Sequence, residues 1–137
     1  MWRGPALADV ADEPFAAAEI RRCDELWLQA RELAVDSDLA AGRTKDALRE
    51  AMTLAAEQPL REHAQAQLML ALYRAGRQAE ALEAFTAVRT RLVDEIGSEP
   101  GPELRRLHEA ILHQSPALDG PPRVRGVRAP AGTAALS

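Results

Sequence analysis

The chain has 137 residues, enough for one domain with a core of its own. Apolar residues make up 47% of it but aromatic ones only 4%, so the core must be built largely from alanine and leucine, which suits close-packed helices better than sheets. The formal charge is −4, and residues 1–118 carry 14 basic against 20 acidic side chains, a balance that argues against the basic stripe of an autonomous DNA-binding domain.

Taken in chain order, residues 1–12 read as a loop. Met1-Trp2-Arg3-Gly4-Pro5 lacks the basic and then apolar segments of a signal peptide. No later apolar run approaches the ~20 residues of a membrane span. The single cysteine, Cys23, permits no internal disulfide, and a cytoplasmic location is expected. Asp12-Glu13-Pro14 opens a first helix, with proline near the first helical position. It runs to Ala41, before Gly42. Ile20, Cys23, Trp27, Ala30 and Ala34 recur every three or four residues as its inner stripe, widened by Leu26 and Leu33. Thr44 is placed to cap a second helix ending at Gln58. A third runs from about Arg61 to Ala75 and a fourth from about Gln78 to Ile96, stopped by Gly76 and Gly97. Pro102 opens a fifth, with Leu104, Leu107 and Ile111 as its inner face, and Ser115-Pro116 closes it. Residues 13–118 thus form the folded module. Residues 119–137, rich in proline and glycine and without helical period, read as a disordered tail or linker.

An internal repeat organises these helices. A shift of 34 residues lays Ala41-Gly42-Arg43 on Ala75-Gly76-Arg77, Ala47-Leu48 on Ala81-Leu82, Leu39 on Tyr73, Ala51 on Phe85 and Leu54 on Val88. Thirty-four residues is the period of the tetratricopeptide (TPR) repeat. Small residues such as Ala47 and Ala81 let antiparallel helices approach, large ones fill the gap, and glycine turns the chain. The fold class is therefore all-α, a TPR-like superhelix of about five helices. Its repeat core is Leu39, Gly42, Ala47 and Leu48 in one copy and Tyr73, Gly76, Ala81, Leu82 and Phe85 in the next. Tyr73, Ala81, Leu82 and Phe85 are expected to be buried between the third and fourth helices.

Three strings go beyond a generic repeat. Leu68-Met-Leu-Ala-Leu-Tyr-Arg-Ala-Gly-Arg-Gln-Ala-Glu-Ala-Leu82, the segment Val93-Asp-Glu-Ile-Gly-Ser-Glu-Pro-Gly-Pro-Glu-Leu-Arg-Arg-Leu-His-Glu-Ala-Ile-Leu112, and Trp2-Arg-Gly-Pro-Ala-Leu-Ala-Asp-Val10 together resemble the bacterial transcriptional activator domain of SARP-type regulators over residues 2–118. The resemblance implies a module that follows a winged-helix DNA-binding domain and contributes TPR-like packing, dimerisation and contacts to other proteins. It also implies that the winged helix and the helices before the Trp-Arg-Gly-Pro loop are missing here. The chain departs from the family pattern in the first helix, with Trp27 at a common arginine position, Cys23 at a leucine position and Arg31 at an apolar one.

No catalytic constellation is evident, and no cofactor or metal is expected. His108 and His113 are five apart on one helix and diverge, and all three histidines, His63 included, read as structural or surface residues. Cys23 lies on the apolar stripe and reads as buried packing. Trp27 and the pair Arg105-Arg106 are candidate interface residues; Arg123, Arg125 and Arg128 would join the pair in a basic patch, but an exposed helix face and a soluble tail are the favoured account of these arginines. The expected partners are proteins: a second copy, the transcription machinery or a winged-helix domain. DNA is reached only through a domain absent from this chain, and no membrane is involved. Two other readings stay open, a stand-alone TPR-like adaptor that binds peptides and a non-functional remnant of a regulator gene. A winged-helix reading frame just upstream would favour the regulator module over the adaptor.

Overall fold

The structure, a computed structural model, describes residues 13–121. The expectations for the 1–12 loop, including Trp2, and for Arg123, Arg125 and Arg128 lie outside the described residues. Five α-helices follow in order: α1 (Glu13–Ala40), α2 (Thr44–Glu57), α3 (Glu62–Arg74), α4 (Gln78–Ile96) and α5 (Pro102–Leu112), then a 3-10 turn, Pro116–Leu118. No strand occurs among the described residues. The chain divides into two compact units, Met1–Leu33 and Ala34–Ser137.

The second unit is a TPR-like array, and its repeat is visible in the backbone hydrogen bonds themselves. α1 ends with Gly42 at φ 77° and α3 with Gly76 at φ 80°. The amide of Arg43 donates to Asp38 O and that of Arg77 to Leu72 O, while Gly42 and Gly76 donate to Leu39 O and Tyr73 O. Each bond maps onto its counterpart under the 34-residue shift. The pattern satisfies the carbonyls orphaned at a helix end and needs a residue in the left-handed region, where glycine is unstrained. Thr44, expected as a cap, is instead the first helical residue of α2. The N-cap is Arg43, and no side-chain bond caps the helix.

α5 ends with the same bonds, Gln114 N to Ile111 O and Ser115 N to Ala110 O, but here the left-handed residue is Gln114, at φ 50°. A side chain with a Cβ pays for that conformation. Gln114→Gly is therefore expected to raise the free energy of unfolding by about 1 kcal/mol, read as a higher urea midpoint at unchanged slope. An unchanged or lower midpoint would show that the turn gains nothing from glycine.

α3 is the shared wall of the array, packed against α2, α4 and α5. Below it Val35, Leu39, Ala47, Ala51 and Ala71 make a small core. Above it Met69, Leu72, Ala81, Phe85, Val88, Leu92, Leu104 and Ile111 make a larger one. Ala47 and Ala81 are fully buried, which lets α2 and α4 approach α3 closely. Leu39 and Phe85 are also buried. Leu48, Tyr73 and Leu82 are half-buried and pack against the cores from the side. For Tyr73 and Leu82 this corrects the expected burial: each sits one position from a buried residue, Leu72 or Ala81, and so about 100° round its helix from the core direction.

Polar side chains finish the joints. Gln65, itself buried, donates to Ala55 O, Gln58 O and Pro59 O, and so satisfies carbonyls at the end of α2. Glu62 accepts from the amide of Gly101 at 2.7 Å, supplying from α3 the cap that α5 lacks locally. Arg74 donates to Leu39 O and to Leu118 O, both at 2.8 Å. Partial burial draws its pKa below the ordinary value, with Asp119 opposing. Residues 119–121, assigned above to the tail, pack back onto the array: Pro121 lies against Gly42 and Gly120 against Arg74.

Candidate protein-interaction surfaces

The described part of the first unit is one helix, so an apolar stripe on it has no second element of that unit to pack against. Phe15 (70% exposed), Leu26 (58%), Trp27 (63%) and Leu33 (68%) are open to solvent, and Ile20 is exposed as well. Cys23 is free and exposed, and Ala30 and Ala34 are exposed too. The inner stripe read from periodicity is thus corrected throughout, and Cys23 is not a packing residue. Periodicity marks an apolar face without saying what covers it. The Arg31 guanidinium lies 6.0 Å from the Trp27 ring centre, at the outer limit for a cation–π contact.

The second unit carries an open groove of about 440 Å³ between α2 and α4, over α3. Met52, Leu68, Leu72 and Ala84 give it apolar walls, and Arg77, Glu80 and Glu83 lie at its edge. Arg77 and Glu80 hold each other by two hydrogen bonds of 2.9 and 2.7 Å, and the bond from Arg77 keeps the Glu80 carboxyl below the usual carboxylate range. A groove of this kind can take apolar side chains of a peptide while the rim sets its orientation.

Arg105 and Arg106 stand exposed on α5 beside Pro102 and Glu109. Arg105 also acts on Glu99, whose carboxyl is held low chiefly by its hydrogen bonds from Arg89 at 2.8 and 3.1 Å. Trp27 belongs to the first unit and the arginine pair to the second.

The histidines hold a constellation that spacing along one helix does not reveal. His63 on α3 has Nδ1 2.8 Å from Glu103 Oε2 on α5 and Nε2 3.2 Å from Asp36 Oδ2 near the end of α1. Asp36 takes a further bond of 2.7 Å from Gln67 Nε2. His108 stacks flat on Phe85, ring centres 3.9 Å apart. Partners lie 27 and 40 residues away from His63, beyond any local motif. Only the packing of α5 against α3, with the 34–40 end of α1 beside them, brings these three residues together. Among the described residues no group of histidine, cysteine and carboxylate side chains is arranged to hold a metal ion. No helix there is long and apolar enough to cross a membrane.

The chain is similar to known proteins over most of its length. A family model described as the bacterial transcriptional activator domain matches residues 1–112. The regulatory protein DnrI of Streptomyces peucetius is 41% identical across 87% of this chain and 44% of its own length. The transcriptional regulator RedD of Streptomyces coelicolor is 41% identical, with 100% of this chain and 39% of RedD covered. A solved structure of Mycobacterium tuberculosis EmbR in complex with a low-affinity phosphopeptide superposes with a TM-score of 0.63 at 39% identity, covering 84% of this chain and 30% of that one. The chain therefore spans less than half the length of these relatives. The matched family model, the repeat of 34 residues and the superposition on EmbR agree: the chain belongs to the bacterial transcriptional activator domain family of SARP-type regulators.

Proposed function

We propose that the chain is a protein-interaction module of a SARP-type transcriptional regulator, acting in the cytoplasm through contacts to other proteins while a winged-helix domain outside this chain contacts DNA. The observation that carries this reading is the exposed apolar set Phe15, Leu26, Trp27 and Leu33, since large side chains gathered on one exposed helix mark a docking surface more often than a solvated one. The names of the relatives, all regulatory proteins, support the setting in transcription. The acidic balance of residues 1–118 supports a division of labour in which this module leaves phosphate contacts to another domain.

The test is a reporter assay with the chain fused to a heterologous DNA-binding domain. The fusion is expected to activate the reporter, and Leu26→Arg with Leu33→Arg is expected to abolish activation without lowering the melting temperature, because both side chains already face water. Activation that persists in the double variant would remove α1 as the docking surface. The unfused chain is expected to bind duplex DNA only weakly, with affinity falling steeply between 50 and 200 mM salt, roughly the range over which phosphate-only contacts are lost. A sequence-selective complex at physiological salt would overturn the division of labour. The groove between α2 and α4 favours a second reading, a peptide-binding adaptor. Under it, Leu68→Arg rather than the α1 substitutions would silence the fusion.

A further inference from the structure

We propose that Asp36, His63 and Glu103 form a proton-operated brace, closed when the imidazole is charged, that fastens the start of α5 to α3 and to the 34–40 end of α1, and that loosens α5 when the imidazole is neutral. The argument begins with donors. An imidazolium carries two N–H groups, and here each ring nitrogen faces a carboxylate oxygen, at 2.8 Å from Glu103 and 3.2 Å from Asp36. A neutral imidazole has one N–H. Whichever nitrogen loses its proton then turns a lone pair toward a carboxylate, and that arm of the brace changes from attractive to repulsive.

The surroundings leave no substitute for the missing proton. The charged groups acting on the ring are Glu103 from α5 and Asp36 from α1, both carboxylates. On α3 itself, Gln67 donates to the other oxygen of Asp36 and fixes it in place, while Glu62 is engaged with the Gly101 amide. α5 therefore has two polar ties to α3 at its start, one proton-dependent through Glu103 and one proton-independent through Gly101, so that neutralisation loosens the helix without releasing it. Partial burial works against the charged ring, but the hydrogen bonds of Glu103 and Asp36 outweigh it and hold the His63 pKa above the ordinary 6.5. A raised folded-state pKa means that the stabilisation is fully present below pH 6.5 and is lost as the pH climbs through the folded value.

The test follows each histidine of the whole chain by NMR while α5 amide exchange is measured across the same pH range. His63 is expected to titrate above 6.5, and to fall toward 6.5 in both Asp36→Asn and Glu103→Gln. Protection of α5 amides, corrected for the chemistry of exchange, is expected to drop by about tenfold for each pH unit by which the His63 midpoint falls in Glu103→Gln, and to become flat in His63→Gln. A His63 midpoint at or below 6.5 would overturn the brace. So would α5 protection that falls equally with pH in the wild type and in Glu103→Gln, a substitution at an exposed site that leaves the cores untouched.

Discussion

Phe85→Ala is expected to lower the free energy of unfolding by about 3–5 kcal/mol. The ring is buried on α4 in the larger core, in one cluster with Met69 and Leu72 of α3 and Leu104 of α5, and its face is covered by His108. Truncation removes the transfer energy of the ring and leaves a cavity that three helices would have to move to fill. Phe85→Leu keeps most of the volume and loses the stacking contact, so its effect is expected to be less than half as large. Urea denaturation of the three proteins separates the two contributions. An alanine variant with the wild-type midpoint would place the ring outside the core and shift the register of the whole repeat.

Leu104→Ala is expected to destabilise by about 2–5 kcal/mol and to do so locally first. Leu104 and Ile111 are the two fully buried side chains of α5, two helical turns apart, and between them they hold the helix on the core. With one anchor gone, α5 amides are expected to exchange before those of α3 and α4. The control is Leu112→Ala on the same helix, at a side chain that is 48% exposed, for which a change within about 0.5 kcal/mol is expected. Uniform loss of protection across the three helices in Leu104→Ala would show that α5 does not open separately.

What could be read from the sequence was what has a local cause. Gly42 and Gly76 announce themselves because a left-handed turn admits few other residues. Pro102 marks the start of α5 because its fixed φ suits the first helical turn. The helix count, the order and the period of 34 follow from such punctuation. The features that escaped are settled by what lies across the fold. The stripe from Ile20 to Ala34 has the spacing of a buried face, yet burial needs a second element, and periodicity carries no information about one. Gln114 takes the position where glycine stands in the two preceding turns, so composition gave no hint that α5 ends in the same way. His63 looked solitary because its partners are on other helices. The repeat pattern points to Tyr73 and Leu82 as buried, but a shift of one residue on a helix moves a side chain from the core to its margin.

Arg74 gives the second unit a property that a stack of hairpins does not have by itself. In an array where every unit touches only its neighbours, stability is summed along a line, and the terminal helix can fray while the rest stays folded. One guanidinium here grips the carbonyl of Leu39, at the entrance to the array, and that of Leu118, at its exit, and Pro121 rests against the first turn at Gly42. Entrance and exit are thereby joined through a single side chain of the central helix. Separating the last turn from the array also breaks a contact that closes the first, so the ends of this unit lose their independence. Cooperativity in it is carried around a closed circuit rather than handed along a row.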